Sequence, residues 1–216
     1  MTEHPATRAV RDERSDLDLM RAHVAGDDEA FASLVLRHRD RLWAVALRTV
    51  RNPEDAADAL QDAMLSAFRR AGQYRGDAAV LTWLHRIVVN ACLDRLRWLR
   101  VRRADPLPDD PDRADELRSD DDPKAEVEAL AVRHDVAAAL ATLNPDQRAA
   151  LVLVDMQGYS VDDAARMMGC APGTVKSRCS RGRARLVPLL AHIGRPEGTS
   201  SARQGTTPAP DSSKEP

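Results

Sequence analysis

Aromatic side chains are scarce in this sequence: two Phe, two Tyr and three Trp make up 3% of 216 residues. A core of ordinary size must then be built from Leu, Val, Ala and Met, which suits packed helices better than sheets. No run of about 18 apolar residues occurs, so no membrane-spanning helix or direct membrane insertion is expected. The opening "MTEHPATRAVRDERSD" lacks the apolar middle of a secretory signal. Cysteine is limited to Cys92, Cys170 and Cys179. They form neither a CxxC pair nor an even framework, and a reducing, cytoplasmic setting is the economical reading. The six histidines show no metal-ligand spacing. With no nucleophile, base or metal constellation in view, the expectation is a protein that is not an enzyme and carries no cofactor.

Charge of one sign is also nearly absent from the total, which is −2. That balance hides a segregation. Residues 1–103 hold 18 basic and 15 acidic side chains, a net +3. Residues 104–130 hold 3 and 11, a net −8, and residues 131–193 hold 8 and 5, a net +3. The remaining 194–216 balance at 3 and 3. Two basic modules flank an acidic strap.

The strap, "ADPLPDDPDRADELRSDDDPKAEVEAL", has four prolines and few apolar residues and reads as a flexible linker. Residues 1–15 read as a flexible N-terminus and 194–216 as a disordered Gly/Ser/Thr/Pro-rich tail. Both modules read as helical and nothing reads as a strand. Ser15 can cap a helix ending at Gly26, and Asp27 or Asp28 the next, to about Val50. Asn52-Pro53 opens a third, to about Ala71. After the loop "GQYRGD", one apolar stripe runs through Leu84, Val88, Cys92, Leu96 and Leu99. The second module has a helix from about Ala125 to "TLNPD", one from Asn144-Pro145 to Gly158, and one from Ser160 to Gly169.

Pro172 can then start a last helix after the tight turn Gly169-Cys170-Ala171, which is helix-turn-helix grammar. In "PGTVKSRCSRGRARL", Val175, Cys179, Gly182 and Leu186 share a face that can pack on the preceding helix. Lys176, Ser177, Ser180, Arg181 and Ala184 lie opposite, and Arg178, Arg183 and Arg185 flank them. A basic helix of this width fits the major groove, with Arg and Lys for guanine and Ser for several base edges. The flanking arginines suit phosphates. Cys92 and Cys179 sit on apolar faces and Cys170 in the turn, so packing is a better reading for them than redox sensing.

The phrase "ALQDAMLSAFRRAGQYRGDAAVLTWLHRI" resembles region 2 of the extracytoplasmic-function (group 4) sigma factors of bacterial RNA polymerase. "GYSVDDAARMMGCAPGTVKSRCSRGRARL" is similar to region 4.2 of that class. "WLHRIVVNACLDRLR" and "VDMQGYS" look most like the actinobacterial SigM subgroup. The resemblance implies an all-α chain of two small helical domains, region 2 over residues 16–103 and region 4 over residues 131–193. It implies an alternative sigma factor that binds core RNA polymerase, recognises −35 and −10 elements and helps open the promoter.

By the same resemblance Glu54, Asp55, Asp58, Gln61 and Asp62 dock on the β′ clamp coiled coil of core RNA polymerase, whose β subunit is a further partner. The loop at Tyr74, Arg75 and Asp77 and the helix after it hold the −10 strand, with Asn90 as reader. Arg86, Arg95, Arg97 and Arg100 suit the backbone there, at a cost of a few kcal/mol for each extruded base. Trp83 reads as core, and Trp98 as either a stacking platform or a packing residue. Thr174 joins Lys176, Ser177, Arg178, Ser180, Arg181, Arg183 and Arg185 on the −35 side. The family further implies an anti-sigma protein, in many members membrane-anchored, and a chain that is monomeric when free.

The acidic strap, which in the family threads polymerase channels, is either an electrostatic mimic of RNA or a plain solvated spacer. Two positions depart from the family pattern. Gly182 replaces the usual Ala, which costs a helix about 1 kcal/mol and predicts a less rigid end, and Ser180 replaces a larger apolar residue. Nothing resembles region 1.1, a region 3 module or an added C-terminal domain. The alternative is a helix-turn-helix regulator acting without polymerase, which requires a sensor or dimerisation domain within residues 1–103. Neither a heptad seam nor a ligand-pocket signature is present there.

Overall fold

A computed structural model describes residues 12–103 and 123–193, and among these every regular element is helical. The first region holds α1 (Asp16–Val24), α2 (Asp28–Val50), α3 (Pro53–Arg70), a 3-10 turn (Ala71–Gln73) and α4 (Val80–Arg103). The second holds α5 (Pro123–Ala141), α6 (Pro145–Leu151), a π-helical turn (Val152–Met156), α7 (Val161–Met168) and α8 (Pro172–Leu190). The start of α5 lies inside the stretch read as linker, so the acidic strap cannot be wholly extended. Residues 104–122 of the strap and the tail 194–216 lie outside the described residues.

The helix starts follow local capping chemistry. Side-chain oxygens of Ser15, Asp27, Asn52, Asn144 and Ser160 each accept from the backbone N–H three residues on. Pro53 and Pro145 then occupy positions whose missing N–H costs nothing. Arg51, with φ +80°, ends α2 in the left-handed conformation, its N–H donating to Leu47 O at 2.7 Å. Part of the expected flexible N-terminus is in fact tied down. Arg14 bridges Asp12 and Asp27, and Arg37 reaches both Asp16 and the Asp12 carbonyl.

In the first region Ala56, Ala59, Ala63 and Ala67 form a buried stripe along α3. Small side chains there let α3 lie closely against α2 and α4, whose Leu34, Leu42, Val45, Leu84, Val88 and Cys92 are fully enclosed. The apolar stripe read for α4 holds at its first three positions, while Leu96 and Leu99 are half-buried. In the second region Leu151, Val152 and Leu153 pack with Ala164, Ala165, Val175 and Cys179.

Two expectations need correction. The helix from Asn144 does not run evenly to Gly158, because a widened turn follows Leu151, with Gln157 N–H donating to Val152 O at 3.0 Å. This turn buries Val152 and Leu153 and leaves Asp155 outside. Gly182 is no loose end either. A methyl group there would lie 2.6 Å from Leu151 Cδ1 and 3.3 Å from its Cγ, so a larger residue fits only if the Leu151 side chain shifts.

The two regions pack against each other, with α4 touching α6 and α7 and α2 touching α6 and the π turn. His85 and the Tyr159 hydroxyl share a hydrogen bond at 2.7 Å, and Arg148 donates to Thr49 O at 3.0 Å. A mere tether between independent modules would not have required this.

Candidate nucleic-acid interface

The helix-turn-helix is built by α7 and α8. Ser160 and Asp163 start α7 reciprocally. The Asp163 N–H donates to Ser160 Oγ at 3.0 Å, and that hydroxyl donates to the Asp163 carboxylate at 2.6 Å. This hydroxyl, with Arg166 beside it, holds the Asp163 carboxyl below the usual carboxylate range. Gly169, with φ +63°, turns the chain where a side chain would be strained, and Pro172 opens α8.

Burial divides α8 as its spacing predicts. Val175, Cys179 and Gly182 are buried and Leu186 half-buried, while Lys176, Ser180, Arg181, Arg183, Ala184 and Arg185 are exposed. The inward face meets α6 as well as α7. Thr174, Ser177 and Arg178 are half-buried at the edges. Ser177 Oγ donates to Thr174 O at 2.9 Å, and Arg181 reaches Ser177 Oγ at 3.3 Å.

The segment has no acidic residue of its own, yet two of its arginines are paired. Arg178 donates to Asp146 at 2.9 Å and lies 3.4 Å from Cys170 Sγ. Arg183 makes a two-pronged contact with Asp155 at 2.6 and 2.9 Å. Both acids come from outside the helix-turn-helix, one from α6 and one from the π turn. Lys176, Arg181 and Arg185 form no ion pair among the described residues.

In the first region Glu54, Asp58, Gln61 and Asp62 are exposed on the first half of α3, and Asp55 is half-buried. Carboxylates there also favour the positive end of the helix dipole. Arg95, read as a DNA-backbone contact, bridges Asp55 and Asp58 at 2.8 Å each. Its guanidinium and that of Arg102 both lie over the Trp98 ring, 4.9 and 4.7 Å from its centre. Trp98 is 46% exposed, a surface ring held by cations rather than a core residue.

Trp83 packs on the core, edge-on to Tyr74 at 5.7 Å. The Tyr74 hydroxyl donates to the Ala78 carbonyl, which closes the loop bearing exposed Arg75 and Asp77 just ahead of α4. Arg86 and Arg100 are exposed, and Arg97 pairs with Asp94 at 2.6 Å. Asn90 is half-buried, its Nδ2 donating to the Met167 carbonyl of α7 at 3.1 Å. Sequence reasoning missed that Asn90 and His85 would face the second region and that Arg148 and Tyr159 would face the first. No short-range spacing signals contacts made 74 to 99 residues apart.

Burial pushes the Cys92 thiol up to about 12 and raises that of Cys179, so neither is a ready thiolate. Among the described residues no group of three or more His, Cys, Asp or Glu is placed to hold a metal ion. No helix there is long and apolar enough to cross a membrane.

The family model for Sigma-70 region 2 matches residues 34–101, and that for Sigma-70, region 4 matches residues 133–186. The ECF RNA polymerase sigma factor SigM of Mycobacterium tuberculosis is 56% identical over 184 residues, covering 85% of this chain and 88% of its own. The ECF RNA polymerase sigma-E factor of Escherichia coli is 29% identical, covering 81% of this chain and 93% of its own. Among solved structures, the sigma factor RpoE of Bartonella quintana, bound to the anti-sigma factor NepR, superposes with a TM-score of 0.60 at 28% identity. That match covers 76% of this chain and 98% of RpoE. CnrH, in complex with the cytosolic domain of CnrY, does so at 0.57 and 26%, covering 82% of this chain and 97% of its own. Two sigma regions in order, and a relative this similar along most of both chains, show that this protein belongs to the ECF RNA polymerase sigma factors, alternative sigma factors that direct promoter-specific transcription initiation.

Proposed function

We propose that α8 reads the −35 element as duplex through Lys176, Ser177, Ser180 and Arg181, with Arg185 on the phosphates. The observation that carries this reading is the division of α8: one face packs into the second region, and the other presents cations that no acid among the described residues neutralises. A groove-binding helix needs that second face bare. Arg178 and Arg183 have a further part here, since their pairs with Asp146 and Asp155 brace α8 against α6 and the π turn while leaving guanidinium edges for phosphate. Thr174 at the start of α8 is the remaining −35 contact.

In the first region, Tyr74, Arg75, Asp77 and Asn90 hold the unpaired −10 strand, with Arg86, Arg97 and Arg100 on its backbone. Arg95 and Trp98 form one edge of that surface, and Glu54, Asp55, Asp58, Gln61 and Asp62 dock on the β′ clamp coiled coil. Chemistry belongs to the polymerase, and this chain acts in the cytoplasm where that enzyme works. Two relatives of the same fold were solved with protein partners, one of them a named anti-sigma factor, which supports a similar antagonist here.

Run-off transcription from a promoter library, with core RNA polymerase in the presence and absence of this chain, tests the reading. Initiation that depends on the chain, with paired −35 and −10 motifs among the transcribed promoters, is the expected result. Binding of duplex DNA by the chain with no gain in initiation overturns it.

A further inference from the structure

Two of the arginines that flank the outer face of α8 are met by acids from outside the helix-turn-helix. Arg178 donates to Asp146 of α6 at 2.9 Å, with its other terminal nitrogen 3.4 Å from Cys170 Sγ. Arg183 meets both oxygens of Asp155 in the π-helical turn, at 2.6 and 2.9 Å. The four side chains are between 20% and 54% exposed. Ion pairs this accessible to water add little to stability. Packing does not depend on them either, since buried Val175, Cys179 and Gly182 already seat the inner face of α8.

The reason for the pairs lies in what an unpaired arginine would do. A guanidinium on a long, rotatable stem finds a phosphate in almost any register of a duplex. Each phosphate it neutralises adds affinity that carries no sequence information. The segment from Pro172 to Leu186 holds five cations and no acid. With all five unrestrained, α8 would hold any duplex. Specificity is a difference between affinities, and weakening the wrong complex improves it as much as strengthening the right one. Asp146 and Asp155 engage two of the flanking cations. Lys176 and Arg181, on the groove-facing side, keep no ion pair among the described residues, so the restraint falls where sequence is not read.

We propose that Asp146 and Asp155 are positioning residues that set −35 specificity, restraining Arg178 and Arg183 so that they reach phosphates only when α8 is fully seated in the major groove. This rests on the reading of α8 as the −35 helix. The two-pronged contact fixes the plane of the Arg183 guanidinium, and Asp146 and the Cys170 sulfur between them hold both terminal nitrogens of Arg178. The remaining N–H groups then point in fixed directions, which suit the DNA backbone at one depth and angle of the helix. On a wrong sequence α8 stays shallow. Neither guanidinium can swing to the nearest phosphate without leaving its acid, and each carboxylate repels a phosphate that approaches its arginine. Neither acid touches a base, and both act through an arginine.

The test uses holoenzyme, the full chain with core RNA polymerase, on a duplex carrying a −35 motif from the run-off library and on the same duplex with that motif scrambled. Asp146→Asn and Asp155→Asn keep the shape and remove the charge. Each should bind the scrambled duplex about threefold tighter, and the double variant about tenfold, the scale of one or two unit charges a few ångström from phosphate in water. Affinity for the −35 duplex should hardly change, so discrimination falls by the same factors. The salt slope on the scrambled duplex should steepen by about one for each acid removed. Asp155→Glu keeps the charge and should keep the wild-type ratio. A purely structural brace would lower both affinities together, or shift the urea midpoint without touching their ratio, and either result overturns the proposal. Equal tightening on both duplexes also overturns it, because the acids would then set only overall charge. If the double variant does not fold, each single variant still has to show the altered ratio. A wild type that does not distinguish the duplexes overturns the reading of α8 and the proposal with it. A wild type that distinguishes them, with variants that keep its ratio, overturns the proposal alone.

Discussion

Arg95 on α4 closes on Asp55 of α3, its Nε 2.9 Å and its terminal nitrogen 2.8 Å from the same carboxylate oxygen. The same guanidinium reaches Asp58 at 2.8 Å. A residue on the proposed strand-binding surface is thereby joined to two residues on the proposed polymerase-binding surface. The ion pair ties the start of α3 to the second half of α4, and with its partners half-buried or exposed it contributes on the order of 1 kcal/mol.

Arg95→Met retains the aliphatic stem against Trp98 and removes the charge. Urea unfolding should show a loss of up to about 1 kcal/mol. Titration with core polymerase should show affinity unchanged or raised, since both carboxylates are freed, while promoter opening falls severalfold. A fall in polymerase affinity with opening intact would mean that Arg95 serves the α3 face rather than DNA.

Arg181 and Arg183 differ by two positions and should behave differently. Arg181 reaches Ser177 and forms no ion pair among the described residues, whereas Arg183 is spoken for by Asp155. Arg181→Ala should cost about 1–3 kcal/mol of −35 discrimination and relax the preference at one base pair. Arg183→Ala should weaken binding evenly across promoter sequences and lower the salt dependence. A promoter-library readout of both variants separates them, and equal flattening of the −35 motif by the two would defeat the distinction.

Gly182 faces Leu151 across the α6–α8 contact. Gly182→Leu should destabilise the protein by about 1–3 kcal/mol through overpacking. Ala184→Leu, on the exposed face two residues later, should stay within about 0.5 kcal/mol. Chemical unfolding of both checks this, and a neutral Gly182→Leu would show that α8 does not seat where described.

His85 sets a pH dependence with a definite sign. Burial, with His38 and Arg41 nearby, lowers its pKa from 6.5 to about 4. The unfolded chain takes up a proton near 6.5 and the folded one only near 4. This contribution is complete above about 6.5 and is lost as pH falls toward 4, at about 1.4 kcal/mol per unit and on the order of 3 kcal/mol in all. Urea midpoints at neutral and mildly acid pH should fall less in His85→Gln than in the wild type. Parallel slopes would place the histidine in water. Because His85 lies between the regions, mild acid should also loosen the closed arrangement.

Much of the architecture was legible in residues three or four apart. Ser15, Asn52-Pro53, Asn144-Pro145 and Ser160 mark helix starts because capping is a local bond, and Gly169 marks the turn because few residues accept its backbone angles. The same short range sorted α8 into a packed face and a bare basic one, and the motifs on α3, α4 and α8 carried the family. What tertiary structure alone decided is which charges are spent. Asp146 and Asp155 reach Arg178 and Arg183 across 32 and 28 residues, and Arg148 finds Thr49 across 99. Gly182 seemed a weakness until Leu151 stood against it, and Asn90 seemed free until Met167 did. Local patterns encode which way a helix faces. They do not encode what it faces, because that depends on how the chain folds back over distances no spacing rule spans.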